Sequence, residues 1–260
     1  MNIVVCIKQV PETTAVKINP ETNTVIREGV KSIINPFDMF AIEEGIRLKE
    51  KYSGKTTVLT MGPPQAESAL REALAMGMDE AILISDRAFA GSDTWATSYT
   101  LSCAIRNIKE YDLILCGRQA SDGDTAQVGP GISAHLDIPQ VTYVKKIDEI
   151  KDGYAKVERM TEDGYEVIEV QLPALLTVVR EINTPRLPSL KGMMRSKQAV
   201  IIRWTASDLK ADPNLIGLSG SPTIVTRIFT PKAPSGGQIL KGEISEVVSQ
   251  LVDALRNELP

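Results

Sequence analysis

The apolar run Leu113-Ile114-Leu115-Cys116 leads straight into Gly117-Arg118-Gln119-Ala120-Ser121-Asp122-Gly123-Asp124-Thr125-Ala126-Gln127-Val128-Gly129-Pro130. A strand that empties into a Gly/Asp/Thr-rich turn and then a helix can hold phosphate. The first N–H groups of a helix lack intrahelical partners, and the helix dipole favours an anion there. The sequence predicts a helix opening near Thr125, with Gly123 letting the backbone approach a ligand and Thr125 adding a hydroxyl. A second such start lies in Gly91-Ser92-Asp93-Thr94-Trp95-Ala96-Thr97-Ser98, where Asp93 or Thr94 can cap the helix or offer polar atoms to a ligand. No G-x-G-x-x-G follows a strand and no G-x-x-x-x-G-K-[ST] occurs, so neither common nucleotide fingerprint accounts for these turns.

Other chemistries have little to build on. His135 is the lone histidine and sits in an apparent helix, where a packing role is expected. A single histidine excludes a Cys/His or Ser/His/Asp site unless His135 serves as its base, and no G-x-S-x-G accompanies it. Cys6, Cys103 and Cys116 are widely spaced in apolar settings without C-x-x-C, and read as buried reduced thiols, not as metal or redox ligands. No catalytic acid or base and no metal ligand is nominated. With 29 basic and 33 acidic residues the formal charge of −4 argues against non-specific nucleic-acid binding and gives no membrane-surface signal. Met1-Asn2-Ile3-Val4-Val5-Cys6-Ile7 reads as a strand and not as a leader, and no segment reaches bilayer length; a cytoplasmic protein is expected.

Strand-like and helix-like segments alternate through the first half, as a helix-covered parallel sheet requires. Strands are predicted over Ile3–Ile7, Thr56–Met61, Ala81–Ser85 and Leu113–Cys116. Helices are predicted over Asp38–Lys51, Gln65–Met76 (closed by Gly77) and Thr94–Asn107. After Pro139, Gln140–Ile147, Tyr154–Met160 and Tyr165–Gln171 alternate apolar and polar residues, with Glu162-Asp163-Gly164 as a hairpin turn. Leu175–Val179 is a further strand, followed by an exposed loop rich in Arg, Lys and Met through Pro185, Pro188 and Gly192. Pro231–Gly237 reads as a linker, and Glu243–Leu259 as an amphipathic helix with Ile244, Val247, Val248, Leu251 and Leu255 on one face. The expected fold is α/β: a doubly wound, mostly parallel sheet with an antiparallel hairpin excursion and a C-terminal helical arm. Residues 1–230 form the nucleotide-binding domain, and 231–260 the linker and arm. Cys6, Asn35, Met61, Gly62, Asp93 and Thr125 all fall at or just after strand ends, the edge where such sheets bind ligands.

The chain resembles the β subunit of electron transfer flavoproteins along essentially its whole length. The resemblance rests on Ile3-Val4-Val5-Cys6-Ile7-Lys8-Gln9-Val10-Pro11, Asn35-Pro36-Phe37-Asp38, Met61-Gly62-Pro63 and the Cys116–Pro130 loop, in the same order and spacing. Arg186-Leu187-Pro188-Ser189-Leu190 is similar to that family's recognition loop, here near 184–198, whose anchoring leucine matches Leu190. Ordinary members hold AMP as a structural ligand, whereas electron-bifurcating members hold FAD in its place. The Gly91–Ser98 segment and the run Ser121–Pro130 resemble the bifurcating branch, although Trp95 departs from its pattern.

The resemblance implies a heterodimer with an α subunit that carries a second FAD. NADH would be the electron donor, ferredoxin or flavodoxin one acceptor, and an acyl-CoA dehydrogenase such as butyryl-CoA dehydrogenase the other. The chain would then be an electron-transfer subunit of an NADH-oxidising complex. The nucleotide-binding residues implied are Cys6, Asn35, Met61, Gly62, Asp93, Thr94, Thr97, Gly123, Asp124, Thr125, Gln127 and Val128, with Leu190 for partner recognition, and the C-terminal arm reaching the α subunit. Two alternatives stand beside it: the AMP-binding, non-bifurcating β subunit, and an ATP-binding α/β protein resembling universal stress proteins.

Overall fold

The computed structural model describes residues 1–12, 32–226, 237 and 239–258. Two compact units divide the chain, 1–226 and 227–260. The first is built on β1 (Asn2–Cys6), β4 (Lys55–Met61), β5 (Glu80–Ile84), β6 (Leu113–Gly117) and β10 (Ala174–Val178), short apolar runs buried along almost their whole length. Such runs suit a sheet covered on both faces. β11 (Ile202–Trp204) and β7 (Gln140–Lys151) extend it, then β8 (Tyr154–Thr161) and β9 (Gly164–Gln171), in the order β11-β5-β4-β1-β6-β10-β7-β8-β9. Pairing is parallel from β11 to β7 and antiparallel across β7, β8 and β9. The hairpin excursion is thus a continuation of β7 beyond the core. A small antiparallel ribbon, β2 (Gln9–Pro11) with β3 (Ser32–Ile34), was not anticipated from the sequence.

Helices α1 (Pro36–Tyr52) and α2 (Glu67–Met76) cover one face, and α3 (Thr94–Ile108) and α4 (Val128–Leu136) the other. The alternation of side chains along each strand divides the core accordingly. Ile3, Val5 and Leu115 pack with Ile42, Ile46, Leu70 and Leu74, while Val4, Cys6, Ile114 and Cys116 pack with Leu101, Ile105 and Ile132. Gly45 lets α1 lie close on β1, since an added Cβ would come within 2.9 Å of Val5. Gly77 closes α2 at φ +136°, its N–H bonded to Ala73 and Leu74 carbonyls.

Two expectations are corrected. The helix expected near Thr125 begins at Val128, because Asp124 and Ala126 sit at φ 53° and 54°, left-handed values that an α-helix cannot contain. The expected loop through Gly192 is in good part a helix, α5 (Leu190–Gln198), with Ser189 as cap accepting from the Gly192 N–H. Gly192 fits because an added Cβ would sit 2.1 Å from the Ala75 carbonyl oxygen, so α5 lies directly on α2. The linker over Pro231–Gly237 lies outside the described residues apart from Gly237. In the second unit the expected arm is present as α6 (Ile244–Glu258), with Ile244, Val248, Leu251 and Leu255 exposed. Among the described residues no helix is long and apolar enough to cross a membrane.

Candidate functional site

The chain runs from β1 through α1, β4 and α2 to β5 on one side of the sheet, then crosses by α3 to β6 on the other side of β1. The loops leaving β1 and β6 therefore diverge to opposite faces, opening a crevice at their carboxyl ends, the switch point at which open α/β sheets bind ligands. Cys6 ends β1, Met61 ends β4 and Gly62 follows it; Asn35 precedes α1; Gly123, Asp124, Thr125 and Gln127 lead into Val128 at the start of α4. Asp93, Thr94 and Thr97 open α3 beyond β5, on the same edge. All the nucleotide-site residues proposed from the sequence thus share one edge of the sheet, while Leu190 belongs to a separate surface on α5.

The floor is apolar. Cys6 and Cys116 are register partners on adjacent strands and both are buried. A hydrogen bond with Cys6, together with burial, pushes the Cys116 thiol well above the usual range, so it stays protonated. This side of the sheet narrows at Gly129, where an added Cβ would meet Thr177 at 2.7 Å, and at Gly131, where it would meet Ser98 Oγ at 2.5 Å.

Asn35 closes the back of the crevice. It is 1 % exposed, and its Nδ2 donates to Asp38 Oδ1 (3.0 Å) and to the Gln119 carbonyl (2.8 Å), while its Oδ1 accepts from the Ser121 N–H (3.0 Å). Its amide is thus committed to joining the loop after β6 to the start of α1. Asp38 accepts from the Lys8 N–H at 2.7 Å, and burial pushes its carboxyl up to about 7 against the bonds from Asn35, Lys8 and Gly117. Gly117 makes this junction possible: an added Cβ would lie 2.3 Å from Asp38 Oδ1 and 2.6 Å from the Phe37 carbonyl carbon. Neither Asp38 nor Gly117 was singled out from the sequence, though a glycine ending an apolar strand was the available signal.

The front is a loop of bare amides. Asp124 donates its N–H to Ala120, but among the described residues no hydrogen bond engages the N–H groups of Gly123, Thr125, Ala126, Gln127 or Val128. α4 has no side-chain cap. Left-handed residues alternating with ordinary ones, as at Asp124 and Ala126, are the backbone pattern of anion-binding nests, and the first turn of α4 adds its dipole. Gly123 faces open space, with nothing within 4 Å of an added Cβ. Lys8 Nζ reaches Asp122 Oδ1 at 2.6 Å across the mouth. Both side chains are partly exposed, so this pair is worth at most about 1 kcal/mol. The donor set fits the diphosphate of a dinucleotide, or the phosphate of AMP, bound through backbone amides without lysine or metal. No cluster of metal-ligating side chains occurs among the described residues.

At α3 the carboxylate of Asp93 is already used. One oxygen caps Ala96 N–H (3.0 Å), and the other accepts from the N–H (3.0 Å) and hydroxyl (2.7 Å) of Thr223, strapping the segment after β11 over the helix start. Thr94 and Thr97 are half-buried. Their hydroxyls make no bond among the described residues and are open to a ligand. His135 packs edge-on to Trp95 (4.7 Å) and Tyr99 (5.6 Å), and burial and then Arg106 lower its pKa, as befits a packing residue. Arg118, which the sequence reading passed over, lies between Phe37 (4.9 Å) and Tyr143 (5.4 Å) beside the crevice.

The electron transfer flavoprotein domain profile matches residues 22–209. The chain belongs to the electron transfer flavoprotein family. It is 57 % identical over 260 residues to the electron transfer flavoprotein subunit beta of Thermoanaerobacterium thermosaccharolyticum, covering 99 % of this chain and 98 % of that one. To the caffeyl-CoA reductase-Etf complex subunit CarD of Acetobacterium woodii it is 53 % identical, covering 99 % of each. To the FixA protein of Azotobacter vinelandii it is 48 % identical over 90 % of this chain and 86 % of that one. The family is thus that of the electron transfer flavoprotein β subunits, and the α/β fold with its mostly parallel nine-stranded sheet is the one expected of it.

Proposed function

We propose that this β subunit pairs with an α subunit, binds FAD in the crevice between β1 and β6, and takes part in electron bifurcation from NADH to ferredoxin or flavodoxin and to an acyl-CoA dehydrogenase. The observation that carries the proposal is the set of unbonded amides at Gly123 and Thr125–Val128, in a loop shaped by two left-handed residues at the switch point. The likeness to CarD, a subunit of a caffeyl-CoA reductase-Etf complex, favours a bifurcating partner system over simple electron carriage.

When bound, FAD supplies the capacity to accept a hydride and pass its electrons on singly; the protein positions and tunes it. The free amides of Gly123 and Thr125–Val128 would hold the diphosphate, with Thr125, Thr94 and Thr97 offering hydroxyls to it or to the ribityl chain. Cys6 and Cys116 would give the bound nucleotide an apolar floor, and the Asn35 bridge joins the loop after β6 to the start of α1. In this scheme Asp93 serves by capping α3, and no side chain of this chain acts as acid or base. On α5, Leu190 is the anchor that enters a pocket of the dehydrogenase, and α6 reaches the α subunit. Nucleotide release from the purified heterodimer tests the reading: two FAD per heterodimer are expected, and one FAD with one AMP would establish the non-bifurcating form instead.

A further inference from the structure

The surface around Leu190 is apolar and outward-facing: Leu187, Leu190 and Met194 are each more than two-thirds exposed. A peptide segment carrying such residues loses binding strength if it must first be ordered, because each immobilised side chain and backbone unit costs conformational entropy at the moment of association. Here the order is already built in. Asn183 Nδ2 donates to the Phe40 carbonyl (3.0 Å) and to Glu44 Oε2 (2.9 Å). Three residues on, Arg186 donates its backbone N–H (3.0 Å), Nε (2.8 Å) and Nη2 (3.1 Å) to the Glu43 carboxylate, and Nη1 (2.6 Å) and Nη2 (3.0 Å) to that of Glu50. Glu43 is 4 % exposed, so it holds this charge pair partly out of water, where it is stronger than a surface pair. On the far side, Arg195 donates to the carbonyls of Leu74 and Met78, and Arg71 to that of Ser196, fastening α5 to α2.

We infer that Arg186, through its fork on Glu43 and Glu50 of α1, is a positioning residue that holds Leu187 and Leu190 in their docking arrangement before the dehydrogenase arrives. The inference rests on the docking role of Leu190 proposed above. Arg186 itself need touch neither the dehydrogenase nor a nucleotide; its effect passes through the segment it holds. Lysine keeps the charge but cannot engage two carboxylates with a planar fork, so it should restore only part of the effect.

The test is electron delivery from the intact heterodimer to butyryl-CoA dehydrogenase, with dehydrogenase concentration varied, for Leu190→Ala, Arg186→Gln and Arg186→Lys. Arg186→Gln is expected to raise KM for the dehydrogenase about tenfold, with kcat and bound nucleotide unchanged and with faster hydrogen exchange at the amides of Arg186–Lys191. Arg186→Lys should fall between it and the parent. An unchanged KM in Arg186→Gln, where Leu190→Ala raises it, overturns the positioning role alone. An unchanged KM in Leu190→Ala overturns the docking reading and the inference with it. Should Arg186→Gln fail to fold, Glu50→Gln leaves the Glu43 pair intact and is expected to raise KM about threefold with faster exchange; no change in either overturns the inference.

Discussion

Two glycines a few residues apart do opposite work. Gly117 is needed by the fold, since an added methyl would enter the backbone of Phe37 and the carboxylate of Asp38. Gly123 has open space around it and matters only if something fills that space. Gly117→Ala should therefore destabilise the chain by about 2–3 kcal/mol in urea denaturation. Gly123→Ala should leave the melting temperature within about 2 °C of the parent. It should nevertheless weaken nucleotide binding about tenfold, measured by calorimetry on the stripped heterodimer. Asp38 gives a second residue-scale expectation. With its carboxyl raised to about 7 by burial, the folded chain binds more protons than the unfolded one between roughly pH 4 and 7. Its stabilising contribution is present in full below that window and is lost as pH rises through it. Urea midpoints recorded from pH 5 to pH 8 should fall in the parent and change less in Asp38→Asn. At this scale the sequence led to residues that share one edge of the sheet, but it did not reveal the partners that the Asn35 and Asp93 side chains find within the protein. Such partners come from 84 and 130 residues away in the chain, at Gln119 and Thr223, and no local pattern reveals them.

Among the elements, the central strands and first three helices were legible because apolar runs and helical periodicity are local signals, and the structure returns them with ends shifted by a few residues. The start of α4 was misplaced by three residues for the reason that makes the loop useful. Asp124 and Ala126 take left-handed values that no helix admits, and the amides left without partners nearby are the ones proposed to meet the diphosphate. α5 was hidden by two prolines, a glycine and many charges. It is held by Arg71 of α2 bonding across to Ser196 and by Arg195 of α5 bonding back to Leu74, which is tertiary information. β11, only three residues long, exists by pairing with β5. α6 was read correctly, and its exposed aliphatic stripe, with Ile244, Val248, Leu251 and Leu255, calls for a covering surface. Removing Gly237–Pro260 should weaken assembly with the α subunit at least tenfold in analytical ultracentrifugation while leaving the first unit folded. Undiminished assembly would remove α6 from the interface.

At the scale of the whole molecule, one helix links two surfaces. The start of α1 meets the crevice through Asn35 and Asp38, and its middle holds the Leu190 segment through Glu43, Glu44 and Glu50. In the proposed scheme, the docking chemistry on α5 and the ligand chemistry at the β1–β6 rim are both tied to this helix. The central claim is that this rim accepts a dinucleotide through unpaired backbone amides. Denaturing the purified α/β heterodimer and quantifying the released nucleotides by chromatography tests it most directly. Two FAD per heterodimer, falling to one in Gly123→Ala after gel filtration, is the expected result; one FAD in the parent, with AMP or nothing beside it, would contradict the account.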